Sequence, residues 1–218
     1  MSQAVEWGVF RAFYESPWQH PILLILVPLA LFFFLPGPRG FLFVYLWVFT
    51  VETIIDAVVT SSLMPPLGLD LLFVLLGDAR IFALMERYSH GGTDKRWLLR
   101  VAGLTAMVPA VQAVLLISMP HWFYDIRHTY LAYECLFVVW LLSYRFWLQR
   151  SRVIPEVIRA WLDQLTHYAL TYYGLWAIAD LFILSGADAG YGLRVVPNLL
   201  YYALFVPFVW WSAPQELK

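Results

Sequence analysis

Residues 41–63 read FLFVYLWVFTVETIIDAVVTSSL, an apolar run broken by only two charged residues, Glu52 and Asp56. A hydrocarbon layer ~30 Å thick is crossed by about 20 helical residues, so a run of this length reads as a membrane-spanning helix. Backbone N–H and C=O groups in lipid have no water to bond, and a helix satisfies them within the segment. The spacing of Glu52 and Asp56, four positions apart, places both acids on one helical face.

Six further stretches on either side have the same character. The seven expected spans are 20–36, 41–63, 67–88, 97–119, 127–148, 159–185 and 193–213. The breaks between them carry turn chemistry: PGPRG, MPPLG, SHGGTDKR, MPHWFYD, QRSRVIPE and SGADAGYG. None is long enough for a second domain. The expected architecture is one all-α, seven-helix transmembrane domain over residues 1–218, an integral multi-pass membrane protein. Composition agrees: 61% of the 218 residues are hydrophobic and 13% charged, against roughly half and a quarter in soluble domains. There is too little polar sequence to coat a water-soluble core, so the lipid bilayer is the expected partner.

The basic residues set the orientation. With the N-terminus outside, the cytoplasmic set is Arg39, Arg87, Lys95, Arg96, Arg100, Arg145, Arg150, Arg152, Arg159 and Lys218. The outer set is Arg11, Arg127 and Arg194, and this asymmetry predicts an N-out, C-in topology. Trp7, Trp18, Trp97, Trp122, Trp210 and Trp211 fall near the expected boundaries, where amphipathic rings sit at headgroup depth. The opening MSQAVEWGVFRAFYES has neither a basic n-region nor a small-residue cleavage site and reads as an amphipathic lead-in. A net charge of −1 gives no electrostatic case for nucleic acid. The single cysteine, Cys135, excludes an intrachain disulfide and a multi-cysteine metal site.

Function is sought where the apolar pattern is interrupted, because an ionisable group in the bilayer costs on the order of 3 kcal/mol by insertion scales. Glu52, Asp56, Asp78, Glu134 and Asp180 come from four different spans. At about 1.5 Å per residue, Glu52 and Asp78 are expected near the midplane and Asp56, Glu134, Asp180 and Asn198 in the outer half. These acids are the expected catalytic set. A midplane carboxylic acid suits general acid chemistry, because apolar surroundings favour its neutral form. Arg80 is placed to neutralise Asp78 or a carboxylate of a neighbouring helix; two residues apart, Asp78 and Arg80 point to different faces, which disfavours their own pairing. Tyr173 and Trp176 share a stripe with Asp180, and Tyr201 and Tyr202 follow Asn198 by one turn. Such aromatic walls suit an apolar or transiently cationic substrate, and with Arg80 and Asn198 they are the expected substrate-binding residues. Glu86 and Asp163, at helix ends, read as solvated, as does Asp70. The bland alternative is that polar pairs only join the helices.

His121, Asp125 and His128, at i, i+4 and i+7, would share a face if their helix began early, and a divalent metal is the one cofactor this pattern admits. No other cofactor is expected. A retinal protein needs a lysine in the last span, whereas the only lysines are Lys95 and Lys218. No phosphate-binding glycine loop, HExxH pair or GxSxG elbow occurs.

Trp47 and Glu52 in the second span, followed by DARIFALMERYS (Asp78 to Ser89) in the third, resemble the small seven-span integral-membrane terpene cyclases of fungal meroterpenoid and indole-diterpene pathways. The resemblance implies metal-free protonation of an epoxide or alkene by a carboxylic acid, with Glu52 as the matching acid, and cyclisation of the resulting cation. In that family the glutamate directly follows the tryptophan and the last span holds an aspartate. Here Trp47 is five residues upstream of Glu52, and the last span offers Asn198.

Two classes of function fit these residues. One is an intramembrane enzyme acting on a hydrophobic small molecule, an isoprenoid or a lipid. The other is a proton- or cation-coupled transporter or channel, because ionisable groups within spans also mark relays. A seven-span sensor, or an accessory subunit of a membrane complex, is also compatible with the short loops.

Overall fold

The computed structural model of the chain describes residues 8–16, 24–32, 40–62, 69–91, 93–149 and 153–218. Among them every regular element is helical and no strand occurs. The helices are α1 (Val9–Tyr14), α2 (Leu26–Phe32), α3 (Phe41–Ser62), α4 (Leu69–His90), α5 (Lys95–Ser118), α6 (Ile126–Ser143), α7 (Glu156–Leu184), α8 (Ala189–Asn198) and α9 (Phe205–Ser212). A wide π turn over Tyr144–Gln149 prolongs α6, and another over Leu199–Leu204 joins α8 to α9.

Among the described residues three helices are long and apolar enough to cross a membrane: Phe41–Val58, Lys95–Ser118 and the continuous segment Ala189–Ser212. Seven were expected. Helices α4 and α7 are long enough, but their charges lower the hydropathy: Asp78, Arg80, Glu86 and Arg87 on α4, and Glu156, Arg159, Asp163 and Asp180 on α7. The first turn of helix α6 carries the polar residues Arg127, His128 and Thr129. The first expected span, 20–36, is described only over 24–32, and Trp7, Trp18, His20, Arg39, Arg150 and Arg152 lie outside the described residues.

The charged helix α4 is deeply buried along its second half. It packs against α3, α5 and α7, and every residue from Ile81 to Glu86 is buried. A helix buried on all sides belongs to the centre of a bundle. Helix α5 is its opposite. Its buried residues are Val101, Thr105, Val108 and Gln112, one stripe at helical spacing, while Leu99, Val114 and Ile117 are 72%, 62% and 82% exposed. A continuous apolar face of this kind is uncommon on a protein surrounded by water.

Indole and phenol donors tie the helices together. Trp97 Nε1 donates to the Ala83 carbonyl and Trp140 Nε1 to the Leu104 carbonyl. The Tyr168 hydroxyl donates to the Leu200 carbonyl within the second π turn, at 2.7 Å. Pro207 follows that turn and has no N–H to give to a carbonyl one turn back. A side-chain donor satisfies backbone that the irregular turn loosens. Helix starts are capped locally: Asp94 accepts from Trp97 N, and Asp125 from Arg127 N.

Helix α1 is capped from 177 residues away. The Asp188 carboxylate accepts from the N–H groups of Phe10 and Arg11 at 2.8 and 3.0 Å, pinning α1 on α8. Removing a capping carboxylate costs about 1 kcal/mol. Asp188→Ala is therefore expected to release α1, raising the rate of limited proteolysis near residue 16 by about five-fold with the rest of the chain intact. An unchanged rate would mean that apolar packing alone holds α1.

Candidate functional site

The five acids do not form one layer; they fall into separate sets, each with its own partners. Asp78, at 0% exposure, is gripped between α6 and α7: the Tyr133 and Tyr173 hydroxyls donate one to each carboxylate oxygen. The Tyr173 ring stacks on Phe137 with centroids 4.0 Å apart, which fixes the phenol. Both Asp78 oxygens are thus engaged. It is a positioning group for two phenols.

Arg80, also at 0% exposure, points away from Asp78. Its guanidinium carbon lies 3.7 Å from the centroid of Tyr201 and 4.4 Å from that of Phe205, and cation–π attraction compensates part of its lost hydration. Nε donates to the Gly77 carbonyl at 3.1 Å, and Nη1 reaches Thr53 Oγ1 at 3.4 Å. The Arg80 carbonyl accepts from the Tyr45 hydroxyl at 2.8 Å. Among the described residues Arg80 enters no ion pair, and its Nη2 has no hydrogen-bond partner. Expected to neutralise a neighbouring carboxylate, it stands instead among aromatic rings, with Glu52 in its field.

Glu52 and Asp56 share the buried face of α3, as their spacing predicts, at 8% and 3% exposure. Glu52 Oε2 is 3.5 Å from Thr53 Oγ1, whereas Oε1 is buried with no partner. Asp56 lies within reach of the Tyr202 hydroxyl. The Tyr172 hydroxyl is buried within reach of the Arg80 guanidinium, in a geometry short of a regular hydrogen bond. Three polar atoms of one neighbourhood, Glu52 Oε1, Arg80 Nη2 and Tyr172 OH, are therefore buried without a regular hydrogen bond, Tyr172 standing within reach of the guanidinium, where unpaired buried polar groups are rare. Trp47 does not join them. It is 43% exposed and packs edge-on against Phe43, on a different face of α3 from Glu52.

Glu134 and Asp180 form the third set, between α6, α7 and α8. Arg194 Nη1 bonds Asp180 Oδ1 and stands 4.0 Å from Glu134 Oε1, while Arg127 Nη1 is 3.4 Å from Asp180 Oδ1. Arg194 Nε donates to the Tyr14 hydroxyl at 3.3 Å, so α1 closes over this set. These cations, read from sequence only as markers of the outer side, are the acids' partners. The expected aromatic stripe does not surround Asp180: Tyr173 reaches Asp78, and Trp176 Nε1 donates to Asn198 Oδ1 at 3.0 Å. Helical spacing places these side chains on one face, but their length carries their tips to other helices.

Glu86 departs furthest from its sequence reading. Expected in solvent, it is 1% exposed and binds Arg100 Nε, His90 Nδ1 and the Tyr144 hydroxyl, each at 2.7 Å. The spacing of Tyr133, Phe137, Leu141 and Tyr144 along one face of α6 was the available signal for the phenols that meet Asp78 and Glu86. Asp163 does pair near the surface, with Arg145 at 3.0 Å.

The outer histidine pattern does not assemble. A tight turn over Trp122–Tyr124 precedes α6, so His121 is not on the same helical face as His128. Asp125 is committed to capping Arg127 N. Among the described residues no three His, Cys, Asp or Glu side chains are grouped to hold a metal. Two shallow surface clefts, of about 390 and about 370 Å³, lie away from the Glu52–Arg80 neighbourhood. Compared with known proteins, the chain matches no family model, no curated protein and no solved structure.

Proposed function

We propose that the chain is a seven-span, N-out and C-in integral membrane enzyme. It uses buried carboxylic acid chemistry on a lipid-soluble substrate of isoprenoid or lipid type. The observation that carries this reading is the trio of buried atoms without a regular hydrogen bond, Glu52 Oε1, Arg80 Nη2 and Tyr172 OH, beside the Tyr201 and Phe205 rings. A substrate oxygen or a developing positive charge would meet a proton donor, hydrogen-bond donors and ring faces there. Glu52 has an unpartnered oxygen beside Arg80, whereas Asp78 has both engaged by phenols, and the unpartnered oxygens of Glu134 and Asp180 belong to carboxylates already facing Arg194. Glu52 is the proposed general acid, Arg80 and Tyr172 orient the substrate, and Asp78 holds Tyr133 and Tyr173. The resemblance of the second and third spans to the small membrane terpene cyclases supports the same role for Glu52.

The test is turnover of a cellular lipid extract by the reconstituted protein in heavy water, read by mass spectrometry. A new product is the expected result, with one carbon-bound deuterium where the acid protonates an alkene and only exchangeable O–D where it protonates an epoxide or other substrate oxygen. No product from any lipid fraction would count against acid catalysis.

One observation favours a second reading, proton- or cation-coupled transport. Buried ionisable sets recur from Glu86 through Asp78 and Glu52 to Glu134 and Asp180, an arrangement that also suits a relay. Proton flux into liposomes that Asp78→Asn abolishes, with no chemical product, would replace the enzyme reading with this one.

A further inference from the structure

The groove between α5 and α6 has a cation at one end and a bare apolar floor. Glu86 holds Arg100 by its Nε edge at 2.7 Å, and the Tyr144 hydroxyl fixes the other Glu86 oxygen. The Nη groups of Arg100 make no bond among the described residues, and its side chain is 35% exposed. Beside it lies a cleft of about 370 Å³, floored by Gly103 and Leu104 and walled by Met107, Trp140 and Tyr144. Trp140 is fixed there by its bond to the Leu104 carbonyl at 3.0 Å.

Gly103 is the second, independent observation. A Cβ at this position would meet nothing within 4 Å, so packing does not require glycine. Its φ is not positive, so the backbone does not require it either. Glycine is poorly suited to a helix interior. What it provides here is an open floor on which a chain can approach the backbone closely. One turn before Arg100 on the same face stands the exposed Arg96, and beyond Met107 the face continues through the exposed Val111 and Val114.

We propose that this groove is a binding site for an anionic phospholipid. The phosphate sits on the Arg100 Nη groups with Arg96 nearby, and one acyl chain runs over Gly103 against Trp140. A guanidinium held at one edge presents its remaining N–H groups to phosphate as a fork. Basic residues at the cytoplasmic end of a span meet the anionic leaflet. The apolar floor beyond the cation matches the other half of the same molecule. A soluble anion would leave that floor uncovered. The inference rests on the membrane-spanning part of the proposed function and is independent of its chemistry.

The protein is purified in detergent and stripped of lipid. It is then titrated with phosphatidylglycerol, phosphatidylcholine or inorganic phosphate, with thermal midpoint and retained lipid read by native mass spectrometry. Phosphatidylglycerol is expected to be retained one to one, to raise the midpoint, and to bind about tenfold more tightly than phosphatidylcholine. Inorganic phosphate is expected to do neither. R100Q and G103L should each lose the phosphatidylglycerol preference. G103L leaves the Arg100–Glu86 pair in place and serves if R100Q fails to fold. Equal retention of the two lipids, a full shift from inorganic phosphate, or unchanged binding by G103L would overturn the site. Release of the chain from membranes by alkaline carbonate would overturn the spanning reading itself. A membrane-embedded chain with no lipid preference would overturn the site alone.

Discussion

Arg194→Leu is expected to lower the unfolding free energy by about 3–5 kcal/mol, the range for breaking a buried charge pair from one side. Arg194 Nη1 serves Asp180 and Glu134 together, and its Nε reaches Tyr14 on α1. Asp180 and Glu134 are 0% and 5% exposed, and each already has one oxygen without a partner. Without Arg194, Asp180 keeps Arg127 at 3.4 Å, while Glu134 loses the only cation paired with it among the described residues. Glu134 would then stand unpaired beside a second buried acid, whose one remaining cation is the partly exposed Arg127. Denaturant or thermal unfolding in detergent measures the loss, and adding Glu134→Gln should recover part of it because the stranded charge is gone. A cost below about 1 kcal/mol would place Arg194 with surface pairs, which contribute little.

Glu52→Gln is expected to reduce turnover by about 10²–10⁴-fold, the usual contribution of a positioned general acid, with little change in folding. The amide keeps the size and the Thr53 contact but cannot give up a proton. Its carboxylate counterpart has a free, buried oxygen, Oε1, and lies in the field of Arg80. Asp78→Asn should behave differently. An amide offers one acceptor to two phenols, so one Tyr hydroxyl loses its partner, at a cost of about 1–3 kcal/mol in stability. Turnover by Glu52→Gln, assayed on the substrate identified by deuterium labelling, separates the two roles. Full activity in Glu52→Gln would remove Glu52 as the proton donor, and an Asp78→Asn variant as inactive as it is stable would transfer that role to Asp78.

Much of the fold was legible in one dimension because helical periodicity is local. The boundaries of α3, α4 and α5 fall near the expected breaks at MPPLG and SHGGTDKR, where proline, glycine and the Asp94 cap interrupt the pattern. Glu52 and Asp56 share a buried face as their spacing requires, and Asp78 and Arg80 diverge as a two-residue separation requires. The number of helices able to cross a membrane was less legible. The charges on α4 and α7 lower hydropathy, and only their burial explains how apolar helices accommodate them.

The sequence by itself determined the helical class, the apolar character and the face on which each acid lies, since each depends on neighbours within about one or two helical turns. Only the tertiary structure decided the partners. Tyr133 meets Asp78 across 55 positions, Tyr144 meets Glu86 across 58, and Asp188 caps α1 across 177. Periodicity gives a residue's face and depth but carries no information on which helix stands opposite. That choice follows from packing the whole bundle, which divided one apparent layer of five acids into a phenol-clamped aspartate, an arginine-paired pair and the Glu52–Asp56 pair on α3, whose glutamate has an oxygen without a partner.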